Sequence, residues 1–289
     1  MKPFKPTIDN LVSDAAVVYS LPMVYERLNL AINNPRTSIS DITRVLTEDQ
    51  GLTTRILKLA NSPMFGFHKD VDTITKAVTI IGTQQLRDLA LAISVIGVFK
   101  SIPEDMINMT SFWEHSISCG IVARILATYR RETNVERFFV AGMLHDVGQL
   151  ILCTRAPELI RDMIERSKES GKPHFAIQRE ELGFDHGDVG GGLLKRWRIP
   201  SIIAEPVTCH HAPSRANLYP IETAIIHTSD VIAQALQIGF VGETYVPAME
   251  EHAWDRLAIP PSMLATILKQ TDAQLHETME TLSRVLHHD

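Results

Sequence analysis

Seven side chains in the second half of the chain are of the types that hold transition metals. They are His115, the adjacent pair His145 and Asp146, His186, the adjacent pair His210 and His211, and Asp230. Asp146 stands out because its surroundings, AGMLHDVGQLIL at 141–152, are almost wholly apolar. A carboxylate in such a setting needs a cation, an arginine or several backbone donors, since an unpaired buried charge costs several kcal/mol or more. Imidazole and carboxylate together suit iron, manganese, zinc, nickel or cobalt, and not a calcium cage built of oxygens alone. Seven ligands exceed what one tetrahedral ion requires. They fit either one ion with spare ligands or two ions ~3.5–4 Å apart that share some of them. Neighbouring residues on a helix diverge by about 100°, so an ion set between His145 and Asp146 is expected to take both side chains.

Each residue also has a plainer reading. His115, two positions after Trp113, reads equally as a hydrogen-bonded core histidine, His210 and His211 as part of an interhelical loop, and Asp230 as an intrahelical partner. Cys209 is a further thiolate candidate. His227, three residues before Asp230, shares its helical face and is expected to orient a ligand through its other ring nitrogen. Gly190, Gly191 and Gly192 lie inside a helical pattern, where each costs about 1 kcal/mol against alanine. Close helix packing explains them better than a phosphate loop, because no strand precedes them and no loop lysine follows. Trp197 is expected to anchor the core.

The elements that must position these groups read as helix after helix. Ile39, Ile42, Val45 and Leu46 recur at helical spacing after a capping box formed by Ser38 and Asp41. Leu52, Ile56, Leu59 and Ala60 repeat the pattern until Asn61 and Pro63 end it, and Ile74, Ala77, Val78 and Ile81 form a stripe closed by Gly82. Leu86, Leu89, Ala90, Ile93 and Ile96 carry the next. No alternating run suggests a strand, so the fold class is all-α. The polar stretch KSIPEDMINMT at 100–110 marks a boundary. The chain is therefore divided into an N-terminal helical lobe at 1–104, a histidine-bearing helical core at 105–240 and a C-terminal part at 241–289. In that last part 241–260 is expected to be a loop and 261–287 a closing helix with a solvated tip.

Composition limits the partners. A net charge of −6 over 289 residues argues against nucleic acid as an obligate ligand, which would require a basic face. The longest apolar run, LALAISVIGVF at 89–99, is about half of the ~20 residues a spanning helix needs, so no membrane is expected. Three scattered cysteines form no disulfide framework and, with no apolar leader at the N-terminus, suit a reducing cytoplasm.

Several motifs in order give the sequence a resemblance. LPMVYERLNLAINNP, DITRVLTEDQGLTTRILKLANSPMFG and ITKAVTIIGTQQLRDLAL, followed by FWEHSISCGIVARILA, FVAGMLHDVGQLIL, DHGDVGGGLLKRWRIP and VTCHHAP, resemble the HDOD ("HD-related output domain") family of bacterial proteins. These are relatives of the HD and HD-GYP metal-dependent phosphohydrolases. The resemblance covers about 20–215. It implies an HD-type five-helix core packed with a helical N-terminal lobe. It also implies a ligand set: His115, His145, Asp146 and Asp230 for the first metal, and His186, His210 and His211 for a second. Two departures weigh against turnover. The lysine that HD-GYP relatives place three residues after the aspartate is Gln149 here, which cannot supply an ammonium to a phosphate, and the glycine-bearing signature after the paired histidines is absent. Gln149 is thus a substrate-side or ligand-supporting candidate. Arg124, Lys195 and Arg198 are the cations that would have to replace the lysine. The expected role is a metal-binding signalling or regulatory module working through a protein partner, a homo-oligomer or a small ligand such as a nucleotide. The alternative is a phosphohydrolase or phosphodiesterase acting on a nucleotide or cyclic dinucleotide.

Overall fold

The structure is a computed structural model that describes residues 6–62, 71–99, 102, 107–239 and 246–287. Among the described residues there are sixteen α-helices, two short 3-10 turns and no strand, so the chain is all-α. Its contacts group into two units, Met1–Ser20 with Ser101–Ile267, and Leu21–Lys100 with Leu268–Asp289. Helix α1 (Ile8–Val18) belongs to the first. The second unit contains α2 (Met23–Asn33), α3 (Ile39–Thr47), α4 (Gln50–Ala60), α5 (Ile74–Ile81) and α6 (Thr83–Val98). The first unit resumes with α7 (Met109–Tyr129), α8 (Glu136–Leu144), α9 (Val147–Arg155), α10 (Pro157–Ser170) and α11 (His174–Leu182). It continues through α12 (His186–Arg196), α13 (Ser201–Cys209), α14 (Pro220–Ala235) and α15 (Glu251–Leu257). Helix α16 (Leu264–His287) closes the chain and joins the second unit from Leu268.

This grouping differs from three consecutive segments divided at 104 and 240. The first residues group with the histidine-bearing unit because α1 buries Leu11, Val12 and Ala15 and packs on α12 and α9. Most of the expected boundary at 100–110, together with Pro63 and the last two residues of the chain, lies outside the described residues.

In the second unit local chemistry sets the helix ends. Ser38 and Asp41 form the expected capping box, with both reciprocal bonds present. Asn61 ends α4, and its side chain both donates to Val71 O at 2.9 Å and accepts from Val71 N at 2.7 Å. Gly82 separates α5 from α6 with φ +98, a conformation open to glycine without a Cβ clash.

In the first unit α7 is buried all round, including every residue from His115 to Ala123, so it carries no clear amphipathic stripe. Two close crossings bring other helices to it and to each other. A Cβ on Gly142 of α8 would fall 2.8 Å from the backbone of Gly120 in α7. A Cβ on Gly148 of α9 would fall 1.9 Å from His186 O and 2.5 Å from Gly190 N in α12. The Gly190–Gly192 run is accordingly a packing device, with Gly190 towards α9, Gly191 against Thr208 of α13 and Gly192 against Ile8 and Val12 of α1.

Two expectations are corrected. Residues 241–260 are not a loop throughout, because α15 forms within them by burying Ala253 and Leu257, four residues apart. Seven residues offer too little periodicity for sequence reading. Trp197 is half-buried and not a core residue; its indole N–H donates to Tyr19 O at 3.1 Å. Among the described residues no helix is long and apolar enough to cross a membrane.

The α9–α12 crossing yields a direct test. Gly148→Ala gains helix propensity of about 1 kcal/mol but drives a methyl into the α12 backbone. The net result is expected to be a loss of about 1–3 kcal/mol, read as a lower urea midpoint at unchanged m-value.

Candidate metal centre

Five parts of the first unit bring the seven predicted residues together. His115 comes from α7, His186 is the first residue of α12, His210 and His211 follow α13, and Asp230 lies within α14. His145 and Asp146 occupy the break between α8 and α9 instead of one continuous helix, with φ/ψ of −58/−37 and −96/5. The break, and not a 100° helical step, aims the two side chains. Asp146 O accepts from Gln149 N at 2.8 Å to start α9, so the carboxylate is anchored by its own backbone.

The Asp146 carboxylate divides the cage. Its Oδ1 lies 3.0 Å from His186 Nε2 and 3.7 Å from His210 Nε2. Its Oδ2 lies 3.2 Å from His145 Nε2 and 3.8 Å from His115 Nε2. Asp230 Oδ1 is 3.1 Å from His115 Nε2 and 3.5 Å from His145 Nε2, and accepts from Gln234 Nε2 at 2.9 Å. Three sets have ligand atoms within 4.8 Å of one another: Asp146 with His186, His210 and His211; His115 with His145 and Asp146; and His145 with His210 and Asp230.

Hydrogen bonds on the outer side of the rings fix which nitrogen faces inward. His145 Nδ1 donates to Gly142 O at 2.6 Å and His210 Nδ1 to Val207 O at 2.7 Å. A carbonyl can only accept, so both Nδ1 atoms carry protons and each neutral ring turns a lone pair on Nε2 towards the cage. For His186 the acceptor is Gln178 Oε1, 2.9 Å from Nδ1. The amide orientation is set because the same oxygen accepts from His186 N at 2.9 Å, and a backbone N–H can only donate. Gln178 Nε2 in turn donates to Gln149 Oε1 at 2.8 Å.

These inward lone pairs are the test of whether a metal fits. His145 Nε2 and His210 Nε2 are buried and have no hydrogen-bond partner, yet carboxylate oxygens lie within 4 Å of both. His186 Nε2 and His211 Nε2 are 2.7 Å apart and must share a proton or a cation. Lone pairs facing lone pairs in a buried pocket call for positive charge between them. The donor set of nitrogen and oxygen fits a divalent transition ion.

Protons compete for the same role. Burial alone raises the carboxyl pKa of Asp146 and Asp230, but neighbouring imidazoles hold both well below the usual range, chiefly His145 for Asp146 and His115 for Asp230. Burial lowers His145, but the Asp146 charge, Cys119 and hydrogen bonding to Asp146 and Asp230 together outweigh it, so the ring is held well above the ordinary value. His210 is pushed down to about 4 by burial and by His145 and His186 beside it.

Other candidates fall elsewhere. Gln149 does not face the cage as a substrate-side group; its amide oxygen is used on Gln178, which holds His186. His227 touches no ligand ring. Its Nδ1 donates to the His210 carbonyl at 2.7 Å and its Nε2 accepts from Glu250 N at 2.9 Å, so it fixes His210 through the main chain. Cys209 is outside the converging sets, and burial pushes its thiol up. Arg124 is ion-paired with Glu136 at 3.6 Å, while Lys195 and Arg198 are exposed at the end of α12 remote from His186. Asp146 and Asp230 have no lysine or arginine partner among the described residues.

Sequence reading missed Gln178, which has no distinguishing type or spacing. It also missed the capping box of Asp185 and Asp188 that starts α12. Arg179 pairs with both of these carboxylates, and Arg215 with Asp188 at 2.9 Å, so the His186 end of α12 is braced. Phe175, stacked on His211 with centroids 4.0 Å apart, was missed as well. Only an aromatic residue directly after a histidine, in PHF at 173–175, could have hinted at it.

Comparison with known proteins agrees with this architecture. A sequence profile of the HDOD domain matches residues 18–213. An HDOD domain protein with unknown function from Geobacter sulfurreducens superposes with a TM-score of 0.74 at 23% identity, covering 96% of this chain and 97% of that one. A Shewanella amazonensis SB2B protein provisionally named a metal-dependent phosphohydrolase gives 0.66 at 20% identity, with 95% of each chain covered. An uncharacterized protein of Treponema pallidum (strain Nichols) is 25% identical over 264 residues, 91% of this chain. The chain spans about half the length of that curated relative, 48%.

The fixed tautomers and the Gln178 link can each be measured. In long-range proton–nitrogen spectra of metal-free protein, His210 is expected to remain the neutral Nδ1–H form at pH 5.5, where an exposed histidine of ordinary pKa is mostly charged. Gln178→Leu leaves the buried His186 N–H and Nδ1–H without an acceptor, and is expected to cost about 1–3 kcal/mol in urea unfolding.

Proposed function

The chain belongs to the HDOD family, and we propose that it is a metal-holding regulatory module without turnover. In this reading it passes its state to a protein partner, to a second copy of itself or to a small ligand such as a nucleotide. His115, His145, Asp146 and Asp230 hold one ion, and His186, His210, His211 and the other oxygen of Asp146 hold a second where two are bound. The metal is iron, manganese, zinc, nickel or cobalt. Bound in a hydrolase, such an ion polarises a phosphoryl oxygen and lowers the pKa of water.

The observation that carries the proposal is the use made of Gln149. At the position where HD-GYP relatives have a lysine, this side chain accepts from Gln178 and so supports His186. A group committed outward in this way offers no charge to a phosphate, and the cage carboxylates have no lysine or arginine beside them among the described residues. What remains is a site built to grip an ion: inward-facing Nε2 atoms, outward Nδ1–H bonds, and helix crossings too close to admit a methyl group. The alternative reading, a phosphohydrolase acting on a nucleotide or cyclic dinucleotide, draws support from the completeness of the seven-residue set and from the name of the Shewanella neighbour.

Metal analysis combined with an activity panel separates the two. Protein purified with manganese or iron is expected to retain between one and two equivalents and to unfold at a higher temperature than the chelated form. Saturation at ~100 times Kd contributes about 2.7 kcal/mol. Asp146→Ala is expected to remove most of the bound metal, and Gln178→Leu to weaken it by ~10–100-fold. Phosphomonoesters, linear and cyclic dinucleotides are expected to survive incubation with the loaded protein. Metal-dependent cleavage of any of them, lost in Asp146→Ala, would establish the hydrolase and overturn the regulatory reading.

A further inference from the structure

The second unit contains a cleft, separate from the histidine cage, for which the role proposed above has no use. It has a volume of about 260 Å³ and is lined chiefly by Val24 of α2, by Leu52 and Arg55 of α4, and by Ser94 and Gly97 of α6. The space is slightly smaller than the ~300–1,000 Å³ of sites for drug-sized molecules, so a fitting occupant is small.

Three features of its wall ask for one. Arg55 is half-buried, and its Nε is shielded from solvent with no acceptor. Three other arginines of this unit have carboxylates: Arg27 has Glu48, Arg44 has Asp41 and Arg87 has Asp88. Ser94 is 95% buried, being 5% exposed, and its hydroxyl has no partner. An unsatisfied buried donor of this kind costs ~1–3 kcal/mol. The third feature is Gly97. It lies inside α6, where glycine costs about 1 kcal/mol against alanine, yet a Cβ there would meet nothing within 4 Å. No positive φ and no close helix crossing accounts for it, unlike Gly82 or Gly148. Gly97 is exposed and lines the cleft, so a side chain there would take up open space at the cleft.

The charge of the site selects the ligand. Arg55 presents a planar guanidinium suited to a carboxylate, with the Ser94 hydroxyl as a further donor. The N-terminal end of α4 adds positive potential. Asp49, the one acidic lining residue, already caps α4 by accepting from Leu52 N at 2.8 Å. Leu52, Val24, Ile93 and Val98 provide apolar walls. We propose that this cleft binds a small carboxylate with a short apolar tail, its head on Arg55 and Ser94 and its tail beneath Gly97.

Calorimetric titration of the full chain with hexanoate, and with hexanol and hexylamine as controls, tests this. Saturable binding of hexanoate is expected, with hexanol and hexylamine at least ~10-fold weaker because they lack the charge-assisted bond to Arg55. Arg55→Gln is expected to weaken hexanoate by a similar factor. Gly97→Leu fills the cleft with a better helix former, and is expected to abolish binding while the melting temperature and bound metal are kept. Absence of saturable hexanoate binding overturns the proposal, as does undiminished binding by Gly97→Leu. Equal affinity for hexanol overturns the carboxylate assignment. Should Arg55→Gln fail to fold, the Gly97→Leu result decides.

Discussion

A buried carboxylate with histidines on both of its oxygens is the constraint around which the first unit is arranged. Asp146 cannot be taken out of water without positive charge, and each of its two oxygens faces a different pair of imidazoles. The imidazoles have been prevented from supplying that charge freely, because their Nδ1 protons are committed to Gly142 O, Val207 O and Gln178 Oε1. Any positive charge at the centre must therefore come as an added proton on an inward nitrogen or as a metal ion. The depressed pKa of His210 and the raised one of His145 show this competition in a single cluster: Asp146 and its neighbours favour a proton on His145, while burial and the adjacent imidazoles disfavour one on His210.

Packing serves the same end. His115 on α7 and His145 at the end of α8 meet because Gly120 and Gly142 allow backbone to touch backbone. Asp146 and His186 meet through the equivalent contact of Gly148 with α12. A methyl at either crossing would force the helices, and with them these side chains, apart, so the glycines help to set the geometry of the cluster. The braces around Asp185 and Asp188 act on the same helix end from outside, holding the α12 N-terminus where His186 begins.

What could be read from the sequence follows from how far each residue advertises its own chemistry. His115, His145, Asp146, His186, His210, His211 and Asp230 were legible from residue type taken together with the HDOD resemblance, and all seven converge. The capping box at Ser38 and the packing role of Gly190–Gly192 were legible because they depend on a few neighbouring positions. Gln178 was not, since an amide eight residues before a histidine carries no signal until the turn between α11 and α12 folds it back. His227 was placed on the correct helix, but its partners are a carbonyl and an amide that belong to distant backbone. Short α15 and the grouping of α1 with the histidine-bearing unit depend on tertiary burial, which local periodicity does not encode.

Position 149 gives the argument about turnover its physical content. Gln178 has one amide, and both ends are in use: its oxygen receives two bonds from His186 and its nitrogen needs an acceptor. Gln149 Oε1 is that acceptor. A lysine there has only donors, so it would confront the Gln178 NH2 group with a second set of hydrogens and leave it unsatisfied or force the amide to turn. Turning the amide would put NH2 opposite two His186 donors and release the ring that faces Asp146. In this fold, then, position 149 can support His186 or present an ammonium towards a phosphate, and the same side chain cannot do both. The Gln149–Gln178–His186 chain thus secures the His186 ring through the same contact that leaves no ammonium at position 149.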